Sequence, residues 1–328
     1  MEDLRESAGG RQSPRRGRVA AGIAFTLASG VCFGTMPILA RVAYQAGVNI
    51  PTLLLLRFSL AAACMWVLLA RKGLAVPRGR WLAVLVAMGA VGYAGQAFCY
   101  FTAITMASVG LVSLLLYLYP ALVAILGWAV LRHRLNGLQV GAVAIALAGS
   151  ALTIGRAGDG TFLGILLGIL AALVYSCYIL TGSRIPAAVS PTASTAVITT
   201  AAAATYACAA AVRGVRLPAT AAGWWAVAGV AVVCTVMAIL FFFEGLERVG
   251  PVRASVYSTV EPVCTLTLAA LLLGEPITLA RVLGGILILA AVVILAREEL
   301  RAGQAAPGPI PPAAPHRSPA ARPPTAEA

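Results

Sequence analysis

The 328-residue chain is 60% hydrophobic and 11% charged, against about 25% charged residues in a soluble domain. It has too few charges to cover a water-facing surface of its size and too much apolar character for intrinsic disorder. Its 24 Lys and Arg outnumber 11 Asp and Glu for a net charge of +13, an excess that points to nucleic acid in a soluble protein but to cytoplasmic loops in a membrane protein.

Taken from the N-terminus, Arg11, Arg15, Arg16 and Arg18 precede an apolar run that opens at Val19 and continues to about Ala40. The basic start is that of a signal peptide. The run is longer than the roughly 7–15 apolar residues of a signal core, and it reads as a retained first transmembrane helix. The whole chain is predicted to be an all-α membrane protein with ten transmembrane helices, at 19–44, 51–70, 81–103, 109–131, 137–154, 161–181, 191–212, 224–244, 253–273 and 279–295. Most approach the roughly 20 apolar residues needed to cross a core of about 30 Å. The fifth and tenth are shorter, and each follows a tight polar turn. A spanning β-barrel is excluded, because these runs are apolar at consecutive rather than alternate positions.

Turn chemistry marks the joints at Arg71-Lys72-Gly73, Arg78-Gly79-Arg80, Arg132-His133-Arg134, 155–160, Arg213-Gly214 and Gly274-Glu275-Pro276. Trp81, Trp128 and the Trp224-Trp225 pair fall at helix ends, where amphipathic rings settle at the headgroup level. Residues 1–18 are read as a cytoplasmic tail, and the Pro/Ala-rich stretch 297–328 as a disordered one.

With the N-terminus inside, the inner loops hold Arg71, Lys72, Arg78, Arg80, Arg132, Arg134, Arg184, Arg248 and Arg253. The tails add Arg11, Arg15, Arg16, Arg18, Arg297 and Arg301. The outer side holds Arg156, Arg213, Arg216 and Arg281, with Arg41 near its boundary. This bias places both termini in the cytoplasm and the chain in the plasma membrane. It also removes nucleic acid as a partner and leaves the lipid bilayer. The seven cysteines lie in apolar runs without CxxC spacing, and the only histidines are His133 and His316. No disulfide framework, metal centre or cofactor is expected.

The second half echoes the first at an offset of 142 residues. Pro120 falls on Pro262, Ser113 on Ser255, Gly22 on Gly164, Val140 on Val282, and Leu135-Asn136 on Ile277-Thr278. Each half, 19–155 and 160–296, holds five predicted helices. Five is odd, so the halves enter the bilayer from opposite sides, as inverted-topology repeats.

At this point the chain resembles the EamA group of the drug/metabolite transporter superfamily over about 19–296. The resemblance rests on Gly22, Gly34, Pro37, Arg41, Pro51 and Arg57 in the opening helices, and on the stretches before the mid-helix prolines, 103–120 and 245–262. It rests also on Leu273-Gly274-Glu275-Pro276-Ile277-Thr278 and on Gly284-Gly285. The first half departs from the pattern, with Arg132-His133-Arg134 in place of the Gly-Glu turn. The resemblance implies a ten-helix bundle around a central cavity, alternating access and small-molecule substrates, with export favoured over import.

Glu261 is the sharpest candidate. It lies inside the ninth helix immediately before Pro262, where a carboxylate costs about 2.5–3.5 kcal/mol on insertion scales. It reads either as a proton-coupling or cation-binding group or as a structural hydrogen-bond or ion-pair partner. Tyr119 stands at its repeat position, and Tyr257 lies four residues before it on the same helical face. Pro120 and Pro262 are candidate hinges, because each frees the carbonyl four residues earlier, that of Leu116 or Ser258. In a bilayer such a carbonyl needs a partner or a wet cavity. Arg57 either faces the cavity, favouring anionic substrates, or snorkels to the outer interface. Gln96 and Tyr100 share a face of the third helix, where Gly89, Gly92 and Gly95 give close packing, and they line the pocket or bond between helices. Tyr175 and Tyr178 are pocket or packing residues. Glu244, Glu275 and Arg281 read as interface and turn charges.

The function read from these residues is a secondary transporter, an exporter by resemblance, of small metabolites, amino acids or drug-like compounds, with protons as a coupling partner through Glu261. It rocks one repeat against the other and is not an enzyme. No GxxxxGK[ST] motif is present, so the energy comes from a gradient. The alternative is a membrane-embedded non-transport protein, either a lipid-modifying enzyme or a receptor or partner subunit.

Overall fold

In a bilayer every backbone N–H and C=O must be satisfied within the segment, so long apolar runs become helices. The computed structural model describes residues 12–131, 136–154, 160–186, 188–249, 254 and 257–305. Its helices are α1 (Gln12–Gln45), α2 (Ile50–Arg71), α3 (Arg80–Met106), α4 (Val109–Leu116 and Tyr119–Leu131), α5 (Gly137–Ile154), α6 (Phe162–Gly182), α7 (Pro191–Arg213), α8 (Ala221–Val249), α9 (Val260–Leu273) and α10 (Leu279–Ala305). Among the described residues, eight stretches are long and apolar enough to cross a membrane, and two shorter apolar helices cover α5 and α9. The Arg132-His133-Arg134 and 155–159 turns lie outside the described residues, as does Arg253.

Three boundaries differ from the sequence reading. The first helix begins at Gln12, inside the stretch taken as a tail. The tenth is not short: α10 runs for 27 residues, through Arg297-Glu298-Glu299-Leu300-Arg301 and into the stretch expected to be disordered. Hydropathy ends there, but Ala, Arg, Glu and Leu are strong helix formers and carry the helix onward. The helix predicted at 109–131 is interrupted at Tyr117 and Leu118. Their N–H groups bond back three residues, to Leu114 and Leu115 at 3.1 Å each, in 3₁₀ fashion. Thr259, 142 positions after Tyr117, is the matching turn before α9. Both interruptions stand just ahead of the repeat-related prolines, Pro120 and Pro262.

A second repeated device is a π-helical segment in the third helix of each half, Met88–Tyr93 in α3 and Val232–Met237 in α8. Such segments insert an extra residue into a helix and recur at functional sites. The final helices of the two halves are opened by matching caps. The Asn136 side chain accepts from the Gln139 N–H at 2.8 Å, and Thr278 Oγ1 from the Arg281 N–H at 3.2 Å.

The principal packing runs between the halves, not within them. α2 lies along α7, α5 along α10, α1 along α8 and α9, and α6 along α3 and α4. The pair α5–α10 comes close enough that a Cβ on Gly149 would stand 2.7 Å from the Gly284 carbonyl, and one on Gly284 2.5 Å from the Gly149 carbonyl. Such small-residue contacts drive helix association where lipid removes the hydrophobic effect. The repeats interleave, and rocking one whole repeat against the other would part these pairs.

Candidate substrate and coupling site

Glu261 sits in the first turn of α9. Gly34 of α1 brings it there, since a Cβ at Gly34 would stand 2.8 Å from the Glu261 carbonyl oxygen. Thr265 fixes the approach by donating to the Gly34 carbonyl at 2.9 Å and to the Glu261 carbonyl at 3.1 Å. The carboxylate accepts from the Tyr117 hydroxyl at 2.9 Å. That hydroxyl also stands 3.3 Å from the Ser258 carbonyl, which Pro262 leaves without its helical donor. The carboxylate and the freed carbonyl thus share one hydroxyl of the opposite repeat.

The sequence reading offered Tyr257, on the helical face of Glu261, as a partner of the carboxylate or a pocket residue, and placed Tyr119, its repeat mate, toward the same central cavity. The interruption at 117–118 turns the chain so that Tyr117 takes the role. The Tyr119 ring lies 6.1 Å from that of Tyr117 and 4.9 Å from that of Tyr175. Its carbonyl accepts from Ser176 at 3.1 Å. Tyr257 is half-buried.

Arg57 neither snorkels nor opens directly to the cavity. It is 4% exposed, with its guanidinium 5.1 Å from the Phe58 ring centre and 5.4 Å from that of Phe101. It donates to Thr235 Oγ1 at 3.1 Å and to the Tyr93 hydroxyl at 3.4 Å. Thr235 belongs to the π segment of α8 and Tyr93 to that of α3, so one buried cation joins both. Thr235 in turn donates to the Val230 carbonyl five residues back, at 2.8 Å. Among the described residues no carboxylate pairs with Arg57, and Arg57 and Glu261 form no ion pair. Gln96 is buried. Tyr100 bonds Ser113 at 2.9 Å and ties α3 to α4, the helix–helix reading of that residue.

A cavity of about 330 Å³ lies beside Tyr93, with Tyr175 and Tyr178 of α6, Phe33 of α1, and Phe242 and Phe243 of α8 among its walls. Thr195 and Thr199 of α7 add hydroxyls. The volume falls in the range of small-molecule sites. Tyr175 and Tyr178 are stacked, with centroids 6.0 Å apart, and Tyr178 lies 5.8 Å from Tyr93. A line of rings therefore runs from Tyr117 beside Glu261, through Tyr119, Tyr175 and Tyr178, to Tyr93 beside Arg57. Tyr178 and Ile198 on its wall pack with Leu82, Ile185 and Val189, so the cavity lies toward the basic end of the molecule, where Arg80 and Arg184 stand.

The opposite end is tied shut by contacts between the halves. Glu275, in the turn after α9, accepts from the Val109 and Gly110 N–H groups at 2.6 and 3.0 Å and so caps α4. Arg281 stands 3.8 Å from that carboxylate and donates to Ser108 Oγ at 3.0 Å. At 1% exposure it is a core residue, not the boundary charge read from the sequence. Around it, Thr161 donates its N–H to the Met106 carbonyl at 2.9 Å, Ala219 donates to Ala46 at 2.9 Å, and Asn49 bonds the Gly214 carbonyl at 2.7 Å. Within the first half, Arg41 reaches the Ile104 carbonyl. Removing Glu275 orphans two helix N–H groups and takes away the carboxylate 3.8 Å from Arg281, which keeps its bonds to Ser108 and the Pro276 carbonyl. Glu275→Ala is expected to cost about 1–3 kcal/mol and to lower the melting temperature in detergent by several degrees, with Glu275→Gln in between. An unchanged melting temperature would show that the cap carries no stability.

The sequence profile of the EamA-like transporter family matches residues 20–155 and 162–297. Uncharacterized transporter YcbK of Bacillus subtilis (strain 168) is 29% identical over 286 residues, 81% of this chain and 89% of that protein. An uncharacterized transporter of Archaeoglobus fulgidus is 36% identical over 74 residues, 23% of this chain and 27% of that protein. A solved crystal structure shares the fold with a TM-score of 0.59 at 21% identity, covering 85% of this chain and 99% of that one. Two matched repeats, helices suited to a bilayer and a transporter relative along most of its length place this chain in the EamA-like transporter family, as a multi-pass membrane transporter of the drug/metabolite type.

Proposed function

We propose that the protein is a proton-coupled secondary transporter of the plasma membrane that exports a small metabolite, amino acid or drug-like compound, without enzymatic activity. It crosses the bilayer ten times, with both termini in the cytoplasm and repeats over 19–155 and 160–296. The basic end then faces the cytoplasm, and the aromatic cavity lies on that side. The observation that carries this reading is the Glu261 carboxylate. It sits at a proline-broken helix start, bonded to Tyr117 of the other repeat and joined by a line of rings to the cavity. Glu261 takes and releases the proton, Tyr119 and Tyr257 stand around it, and Pro120 and Pro262 are the hinges. Arg57 supports the cavity wall at Tyr93, and Gln96 and Tyr100 complete the substrate and coupling set. Alternating access closes the cavity at the basic end while the contacts around Glu275 part at the other.

The test is purified protein in liposomes, screened with amino acids, sugars, nucleosides, small organic acids and cationic drugs, with and without an imposed pH gradient. Gradient-dependent flux of at least one class is expected. A response from none of them under either condition overturns the reading.

A further inference from the structure

We infer that the cavity takes a small, flat aromatic carboxylate of one or two rings, an inference that rests on the transport reading and names its substrate class. Six of the lining side chains are aromatic, and none is charged. Ring walls favour a flat ligand, since aromatic pairs gain from offset and edge contacts beyond their buried area. At about 330 Å³ the space is at the small end of organic-ligand sites.

The hydrogen-bond inventory selects the polar group. Thr195 gives its hydrogen to the Pro191 carbonyl at 2.9 Å, and Thr199 gives its own to the Thr195 carbonyl at 2.8 Å. The phenols differ. Tyr93 accepts from Arg57, so its own hydrogen is uncommitted, and Tyr175 and Tyr178 donate to no described residue. The cavity therefore offers phenolic donors, which call for an oxygen acceptor on the ligand. Charge decides which acceptor. Arg57 is bonded directly to the lining residue Tyr93. Glu261 is reached only through Tyr117 and Tyr119 before the wall at Tyr175. The charge hydrogen-bonded to the cavity wall is thus positive, and a donor bonded to a cation binds an anionic oxygen more strongly than a neutral one. A cationic ligand would gain from the ring faces, but it would offer no acceptor to the Tyr93 hydroxyl that Arg57 backs.

The probes are 1-naphthoate, its uncharged alcohol 1-naphthalenemethanol, 1-naphthylmethylamine and cyclohexanecarboxylate, measured by calorimetry on the detergent-purified protein and by flux in liposomes. Naphthoate is expected to bind at least about tenfold more tightly than the amine or the saturated acid. Tyr93→Phe, which keeps the ring, is expected to weaken naphthoate about five- to tenfold while changing the alcohol less than twofold. Tyr178→Phe gives a second reading if the first variant fails to fold. Equal or tighter binding of the amine or the saturated acid, no binding of any probe, or indifference of naphthoate to the hydroxyls overturns the assignment. Flux of a cation or a saturated compound instead leaves transport standing and sinks the substrate class. The predicted binding pattern without flux does the reverse.

Discussion

Glu261→Gln is expected to leave the protein folded and inserted while removing at least about 90% of pH-driven transport. The amide keeps an oxygen for the Tyr117 hydroxyl, so the bond between the repeats survives. It also relieves the insertion cost of a carboxylate, about 2.5–3.5 kcal/mol. What it loses is the ability to exchange a proton. The informative comparison is between substrate counterflow at equal pH and uptake against a pH gradient, in the same liposomes. Counterflow should persist in the variant, and gradient-driven accumulation should not. A Gln variant with the wild-type response to the gradient would return Glu261 to a purely structural role.

The second large effect concerns Arg57. A cation at 4% exposure with neutral partners is an uneconomical way to hold helices together. The effective penalty for burying a charge is several kcal/mol, and well-packed apolar replacements are often neutral or stabilising. Arg57→Met fills a similar length of side chain between Phe58 and Phe101. Thr235 keeps its bond to Val230. The melting temperature of the variant is therefore expected to stay level or rise, while flux falls at least about tenfold. The loss arises because Arg57 bonds both Tyr93, on the cavity wall, and Thr235 of the π segment of α8. Full flux would make Arg57 a packing residue. A collapsed melting temperature would make it a stability element.

These two positions stand out in the sequence because charge is scarce there, and a charge inside an apolar run needs a reason. The helices were legible for the same physical cause, since each bilayer crossing is written as consecutive apolar residues. The offset of 142 residues exposed the repeat, and with it the prolines. Tyr117 was not legible. A regular helix would put Tyr119 or Tyr257 at Glu261, and only the irregular turn at Tyr117-Leu118 changes the facing. The Glu275–Ser108–Arg281 cluster was missed because turn charges look solvated in one dimension. Here the turn of one repeat folds onto the helix start of the other. The interleaving of the repeats was also invisible, because it lives entirely in contacts between halves. Apolar patterning reports which residues leave water, not which neighbours they meet.

The Tyr117 hydroxyl has a single hydrogen and two acceptors within reach, the Glu261 carboxylate and the Ser258 carbonyl. While Glu261 is ionised, the carboxylate takes that hydrogen and the backbone oxygen at the proline break goes without. Once Glu261 carries a proton it can donate to the phenol oxygen, and the hydrogen of Tyr117 is released to the carbonyl. Counted in hydrogens rather than in charges, the carboxylate and the broken start of α9 form one unit. A proton gained by the side chain appears as a bond gained by the main chain.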